Sequence, residues 1–397
     1  MFYMKYSTME NREEGTYRQS LGQLELVSLG IGGTIGSGIF VVPGIAAGIM
    51  GPASLIAWVV VALSATLVML SLSWISSRFG RKGTFFAIFS STFGRRTSTV
   101  LILLYTVSAV FGVATIAAGI GQYLSYFGIG NLLMTEILII AVFCIVNLIG
   151  ITLSGLTENI LTLLKIIPLV IITLVLLPFV RPENLAPTVP FTVMGLFTTI
   201  IIVYWPFTGF EISALPVDEM RDPRLVARSL GIVMVTVAAI YLLLNLALIG
   251  SVGSDVLAAS PAPVATAVSL VFSGSGYLVA VVGIFAMLSA MNAYIIASSR
   301  VVHNLATEHR VMGLSRLNSR GAPGIALVVC CGITAGMLFF SNQFSTLATV
   351  SVITTLLPYI FFCIAAFLLF PEIRRKIVSG LGALLTAAIL ILFFVYH

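Results

Sequence analysis

The chain reads as an all-α polytopic membrane protein of about eleven transmembrane helices in a 5+5 inverted repeat, helices 1 and 6 being discontinuous. Three observations predict this. Hydrophobic residues fill 59% and charged residues 9% of 397 positions, with a mean hydropathy of +1.13; a soluble domain carries roughly 25% charged residues. Apolar windows long enough to cross a bilayer follow one another along almost the whole chain. Two of those windows, the first of each half, carry Gly and Pro where a continuous membrane helix would avoid them.

The spans follow in order. Residues 26–50 form the first, broken by Gly30-Ile31-Gly32-Gly33-Thr34-Ile35-Gly36-Ser37-Gly38-Ile39-Phe40. The second, 53–76, runs into the basic segment Arg78 to Arg96 before the third, 97–124. Spans 131–150 and 157–179 are the fourth and fifth, and a Pro-containing connection, 178–190, ends the first half. The sixth, 192–215, is interrupted at Tyr204-Trp205-Pro206-Phe207-Thr208-Gly209-Phe210-Glu211. The seventh, 229–251, leads to 255–274, which is only partly apolar and reads as an external loop with a short interfacial helix. Spans 275–300, 322–340, 343–368 and 378–396 complete the set, with 300–322 the longest cytoplasmic connection. The domain reading is a cytoplasmic segment 1–25, a core 26–370 made of halves 26–180 and 192–370, and a final helix within 371–397.

Charge orients the spans. With the N-terminus inside, 18 of the 20 Lys and Arg residues fall in cytoplasmic segments, and only Lys165 and Arg181 remain. The positive-inside rule therefore predicts a multi-pass protein of the cell membrane with a cytoplasmic N-terminus and, after eleven spans, an extracytoplasmic C-terminus. The net charge of +6 is topology and gives no reason to expect nucleic acid. Cys144, Cys330, Cys331 and Cys363 lie within spans and read as small core hydrophobes without metal spacing. The first 25 residues lack the apolar centre of a cleavable signal. No His, Cys or carboxylate cluster gathers within the spans and no phosphate-binding Gly-Lys-Ser/Thr motif occurs, so enzyme chemistry, a metal and a nucleotide site are not expected.

Five spans per half is an odd number, so the second half enters the membrane in the opposite direction. That inverted arrangement brings the two breaks together near the midplane. Freed backbone groups at membrane depth are tolerated only against protein, water or a ligand, and paired breaks are the best sequence pointer to a transporter's substrate site.

Several segments in order resemble the amino acid–polyamine–organocation superfamily. Gly33-Thr34-Ile35-Gly36-Ser37-Gly38-Ile39-Phe40 resembles its helix 1 signature, and Trp205 to Glu211 its helix 6 break. Asp222-Pro223-Arg224, Asn147-Leu148-Ile149-Gly150 with Lys165-Ile166-Ile167-Pro168, and Asn292-Ala293-Tyr294 with Ser298-Ser299-Arg300 resemble elements of helices 6, 4, 5 and 8. Val350 to Tyr359 resembles helix 10 of the basic amino acid/polyamine antiporters, and in motif the chain is nearest to that branch and to the cationic amino acid transporters. The likeness covers about residues 20–370. It implies a LeuT-type fold and a secondary transporter of amino acids working by alternating access. Two features depart from the pattern: members usually have twelve helices, which leaves the expected homodimer open, and Trp74 and Phe79-Gly80 stand where a glutamate and Phe-Pro are usual.

An amino acid presents a carboxylate and an ammonium on one carbon. Exposed amides and the positive dipole end at Gly36, Ser37 and Gly38 suit the carboxylate. Carbonyls freed at Thr34, Ile35, Trp205 and Thr208 suit the ammonium, with Phe207 and Gly209 beside them. The competing reading of the glycines is close helix packing. Trp205 resembles the family's aromatic gate; otherwise it is an ordinary core tryptophan. Glu211 either caps backbone amides or pairs with a base, with coupling a further role. Lys165 stands about 12 Å into the membrane at 1.5 Å per residue from Thr157. The resemblance implies that a lysine here takes the place of sodium, so proton coupling or exchange without sodium is expected; the alternative is a lysine that snorkels to the interface. Side-chain selectivity is assigned to Val113, Ala114, Ala117, Thr208, Tyr294 and Thr354, and the lack of an obvious carboxylate among them favours neutral substrates, with polyamines or basic amino acids as the alternative. A non-transporting amino acid-binding relative is the alternative in another class.

Overall fold

The computed structural model describes residues 22–80, 84–149, 155–214, 222 and 225–396. Most of the 1–25 segment, Gly150, and Pro223-Arg224 of the Asp222-Pro223-Arg224 element lie outside the described residues. Among the described residues every regular element is helical. By length and composition eight runs can cross a membrane, with Gln23–Phe79 counted as one, and Leu132–Leu148 and Gly324–Phe340 are shorter apolar helices.

The first span is two helices, α1 (Gln23–Thr34) and α2 (Ser37–Met50). The last α1 rung is the Ile35 amide on the Ile31 carbonyl at 2.7 Å. Ile35 then turns extended (φ −80°, ψ 95°), Gly36 follows at φ −141°, ψ −141°, and no side chain caps the start of α2. Next come α3 (Ser54–Phe79), α4 (Phe85–Phe93) and α5 (Arg95–Ser125). The short α4 was not expected inside the basic connection. Thr84 caps it, its hydroxyl accepting from the Ala87 amide at 3.2 Å, and Gly94 (φ +85°) ends it. Ser98 donates to the Phe86 carbonyl at 2.8 Å and Phe89 stacks on Phe362 at 4.5 Å, which holds α4 against the core.

α6 (Leu132–Leu148) and α7 (Gly155–Leu176) follow. α7 turns Ile160, Leu163, Leu164, Ile167, Ile171 and Leu174 outward, an i, i+3, i+4 stripe suited to lipid. The sixth span is α8 (Val193–Phe207) followed by a 3-10 turn at Phe210–Ala214. Pro206 weakens the ladder, Thr208 is extended, and Gly209 sits at φ +98°, a left-handed conformation that glycine adopts without a side-chain penalty. α9 (Leu225–Val252) precedes two short helices, α10 (Ser254–Ala258) and α11 (Pro263–Val271), where one interfacial helix was expected. α12 (Gly276–Glu308), α13 (Gly324–Phe340), α14 (Phe344–Leu369) and α15 (Ile373–Tyr396) follow.

The broken helices occupy the middle of the bundle. α2 lies along α8, α1 along α9 and α7, and α5 packs between α12 and α14. Asn147 of α6 donates its side-chain amide to the Asn292 side-chain oxygen of α12 at 2.8 Å, a buried polar tie across the bundle. Such ties hold membrane helices in register because an apolar surround offers their polar groups few other partners.

Candidate functional site

The two breaks touch. A Cβ placed on Gly209 would stand 2.5 Å from the Gly33 carbonyl oxygen, and one on Gly33 would stand 2.9 Å from the Gly209 carbonyl oxygen. One turn away, a Cβ on Gly38 would meet the Pro206 Cα at 2.6 Å. Backbone therefore rests on backbone at the crossing, and the close-packing role of the glycines is met at Gly33 and Gly38. Gly36 lies against Ala290 of α12 in the same way.

Trp205 covers this crossing. Its indole N–H donates to the Ser37 hydroxyl at 3.2 Å, and its ring lies 5.8 Å from that of Tyr294. The Tyr294 hydroxyl in turn reaches the Thr208 hydroxyl at 3.3 Å. Beneath them is a small chamber lined by Tyr105, Ser108, Ala109, Thr208, Glu211, Ile212, Tyr294, Ala297 and Thr355. Its space for water-sized spheres is about 10 Å³, room for about one water molecule. A substrate the size of an amino acid needs these walls to part.

Glu211 forms the floor. Its carboxyl group accepts from the Tyr105 hydroxyl at 3.0 Å, the Tyr359 hydroxyl at 2.7 Å and the Gly209 amide at 3.0 Å. It is 3% exposed. It thus caps the broken helix, as one reading expected, and also draws α5 and α14 onto the 3-10 turn, which the sequence did not reveal. Ser108 and Ser351 exchange hydroxyl-to-carbonyl bonds at 2.9 and 2.8 Å, and the Ser108 hydroxyl also meets that of Thr355, so α5 and α14 are knitted along the chamber wall. Below the floor a second cavity of about 30 Å³ is lined by Phe85, Ile102, Ala214 and Val301 among others. Ile102, Ala214 and Val301 lie three, two and four residues along the chain from the chamber residues Tyr105, Ile212 and Ala297, so the two cavities are neighbours.

Several expected residues stand elsewhere. Phe207 is boxed between Trp58 (6.1 Å) and Tyr241 (5.2 Å) and is absent from the chamber lining. The Thr354 hydroxyl bonds back to the Val350 and Ser351 carbonyls of its own helix, and Thr355, one residue on, faces the chamber instead. Val113, Ala114 and Ala117 are buried in α5 but lie beyond the lining residues Tyr105, Ser108 and Ala109. Two carbonyls expected to be bare have donors: Thr34 O accepts from the Tyr241 hydroxyl at 3.0 Å, and Trp205 O accepts from the Thr208 amide and hydroxyl. Ile35 is fully buried at the α1 break. None of the six residues assigned to selectivity is acidic, but Glu211, expected to cap or to couple, also lines the chamber, and its partners come from α5 and α14, far along the chain. Lys165 is 2% exposed and donates to the Gly32 carbonyl at 2.8 Å, so it is anchored beside the α1 break and does not snorkel.

Helices unwound at mid-span, meeting backbone to backbone beside a narrow polar chamber with a latched floor, define a carrier of small molecules. The chain belongs to the amino acid permease family, whose model matches residues 21–397. It is 25% identical to the inner membrane transport protein YbaT of Escherichia coli over 97% of this chain and 90% of that protein. It is 25% identical to the serine/threonine exchanger SteT of Bacillus subtilis over 93% of this chain and 86% of that protein. The branched-chain amino acid permease BcaP of Lactococcus lactis is 24% identical over 91% of this chain and 83% of its own length. This protein is a multi-pass membrane protein and a secondary amino acid transporter.

Proposed function

We propose that the protein carries neutral amino acids across the cell membrane by alternating access, with the contact of Gly33 and Gly209 as the crossing about which the two sides open in turn. That contact is the observation the reading rests on. The uncapped start of α2 at Gly36, Ser37 and Gly38 offers amides to the substrate carboxylate. Trp205 and Tyr294 close over the substrate and Glu211 with its two tyrosines closes beneath it. Hydroxyls of Ser108, Thr208 and Thr355 line the place of the side chain. Relatives named for serine, threonine and branched-chain amino acids support a neutral substrate.

Eleven crossings follow when Gln23–Phe79 is counted as two and the shorter helices Leu132–Leu148 and Gly324–Phe340 are included. The distribution of basic residues then supports a cytoplasmic N-terminus. The Lys165 ammonium donates to the Gly32 carbonyl beside the α1 break, where the resemblance implies that a lysine takes the place of sodium, and this supports flux without sodium and a proton-linked or exchange mechanism. A second reading has one observation in its favour: the Glu211 carboxyl in the lining would suit a basic amino acid or polyamine. Against it, that group already accepts three hydrogen bonds.

Counterflow in proteoliposomes tests the proposal. Labelled serine, threonine, leucine or valine should exchange, with arginine, lysine and putrescine failing to compete. Ser37→Trp should abolish flux while the protein stays folded. Normal flux in Ser37→Trp, or flux of cations alone, refutes the assignment.

A further inference from the structure

A second concave site lies outside the transport path, where the end of α6, the connection 309–323 and the start of α13 meet. Its walls are Leu148, Leu317, Ile325, Val328 and Val329, and Arg316 stands at its mouth. Its space for water-sized spheres is about 460 Å³, far larger than the central chamber. Ile325, Val328 and Val329 recur at helical spacing and are each at least 40% exposed, so they form one outward stripe on α13. Gly332, one turn past Val328 and outside the groove's lining, is exposed, and a Cβ built on it would meet only open space, so no side chain blocks the outer face of α13 there. A trough of this kind on a membrane helix is lined for a hydrocarbon chain.

Charge selects the head group. Arg316 is exposed, and among the described residues its guanidinium has no carboxylate partner. Among the described residues no carboxylate lines the groove. Arg320 is held over the end of α6 by donating to the Ile149 carbonyl at 3.0 Å and adds to the positive field. The connection between them is built rather than loose. Asn318 donates to the Leu148 carbonyl at 3.0 Å and its side-chain oxygen accepts from the Arg320 and Ala322 amides, both at 2.9 Å. The groove therefore offers a fixed basic rim above an apolar furrow. Basic pockets between membrane helices on the cytoplasmic side attract anionic head groups, and a guanidinium matches phosphate geometry.

We propose that this groove binds an anionic phospholipid, with its phosphate at Arg316 and one acyl chain along Ile325, Val328 and Gly332. A zwitterionic lipid brings its own ammonium to the same rim and is held more weakly. A free phosphate lacks the chain that the furrow takes up.

The test uses the full chain in detergent, titrated with phosphatidylglycerol, phosphatidylcholine or glycerol 3-phosphate. The thermal midpoint and the lipid retained in native mass spectrometry are read together. Phosphatidylglycerol should raise the midpoint and stay bound, and Arg316→Gln should weaken it about tenfold. Arg316→Lys should recover part of that loss, and Val328→Trp should block the chain without touching charge. Equal retention in Arg316→Gln and Val328→Trp overturns the proposal. So does phosphatidylcholine bound as tightly, or protection by glycerol 3-phosphate alone, which reassigns the rim to free phosphate. Should Arg316→Gln not fold, Val328→Trp and Gly332→Leu decide the question, since both positions face outward.

Discussion

Tyr359→Phe isolates the latch beneath the chamber. The change removes one donor from Glu211 and keeps the ring, which still packs 5.5 Å from Phe210. The lost bond is 2.7 Å long, buried at both ends and made to a carboxyl group. Such a bond contributes about 1.5–3 kcal/mol. It forms only while α14 sits on the 3-10 turn, so its loss falls on the closed floor. At about 1.4 kcal/mol per factor of ten, the open floor gains roughly ten- to 150-fold in population. Ala297→Cys on the chamber wall supplies the reporter, and the assay is its rate of modification by an impermeant thiol reagent applied to inside-out vesicles. Tyr359→Phe should raise that rate at least about tenfold. Tyr105→Phe, which removes a longer bond of 3.0 Å, should act in the same direction by less. The double variant should not be additive, because both phenols serve one carboxyl group. Unchanged rates in both single variants would show that Glu211 does not hold the floor shut, and the reasoning from its hydrogen bonds would fail.

Other outcomes follow from the same geometry. Gly209→Ala combines a left-handed backbone with a Cβ 2.5 Å from the Gly33 oxygen, so proteoliposome uptake should fall tenfold or more at normal protein levels; native uptake would refute the contact as a hinge. Uptake by the native protein should not change when sodium is replaced by choline, and Lys165→Ala should remove any response to a proton gradient; uptake driven by sodium would contradict the position assigned to Lys165. Asn147→Ala deletes the buried bond to Asn292 and should lower stability by about 0.6–1.7 kcal/mol, read as a lower midpoint in thermal unfolding, with substrate selectivity unchanged.

The succession of apolar helices was legible because lipid demands a long apolar run for every crossing. The breaks were legible because Gly36 and the Pro206 to Gly209 segment violate that demand locally. That the breaks meet followed from the inverted halves, but the pairing of Gly33 with Gly209 was not readable, since no pattern along the chain states which glycine meets which. α4 escaped notice for a related reason: Phe85–Phe93 is too short to span and sits between basic residues, and only Thr84 and Gly94 punctuate it. Thr354 was chosen over Thr355 because neighbouring threonines on a buried helix give no clue to the face that meets α5. The latch was missed because Tyr105 and Tyr359 lie 106 and 148 residues from Glu211. A large hydroxyl-bearing ring inside an apolar run was the available signal at both positions. The family was readable from its ordered motifs, but the branch was not, for relatives of about equal likeness are named for different substrates, serine and threonine in one and branched-chain amino acids in another.

Main chain against main chain at Gly33 and Gly209 leaves no room for side-chain variation at the fulcrum. The side chains of the chamber wall stand on other elements, Ser108 and Ala109 on α5, Ala297 on α12 and Thr355 on α14. On the proposed mechanism, cargo preference drifts through ordinary replacements on those three walls while the crossing stays untouched, so one machine can be retuned for many solutes without being rebuilt.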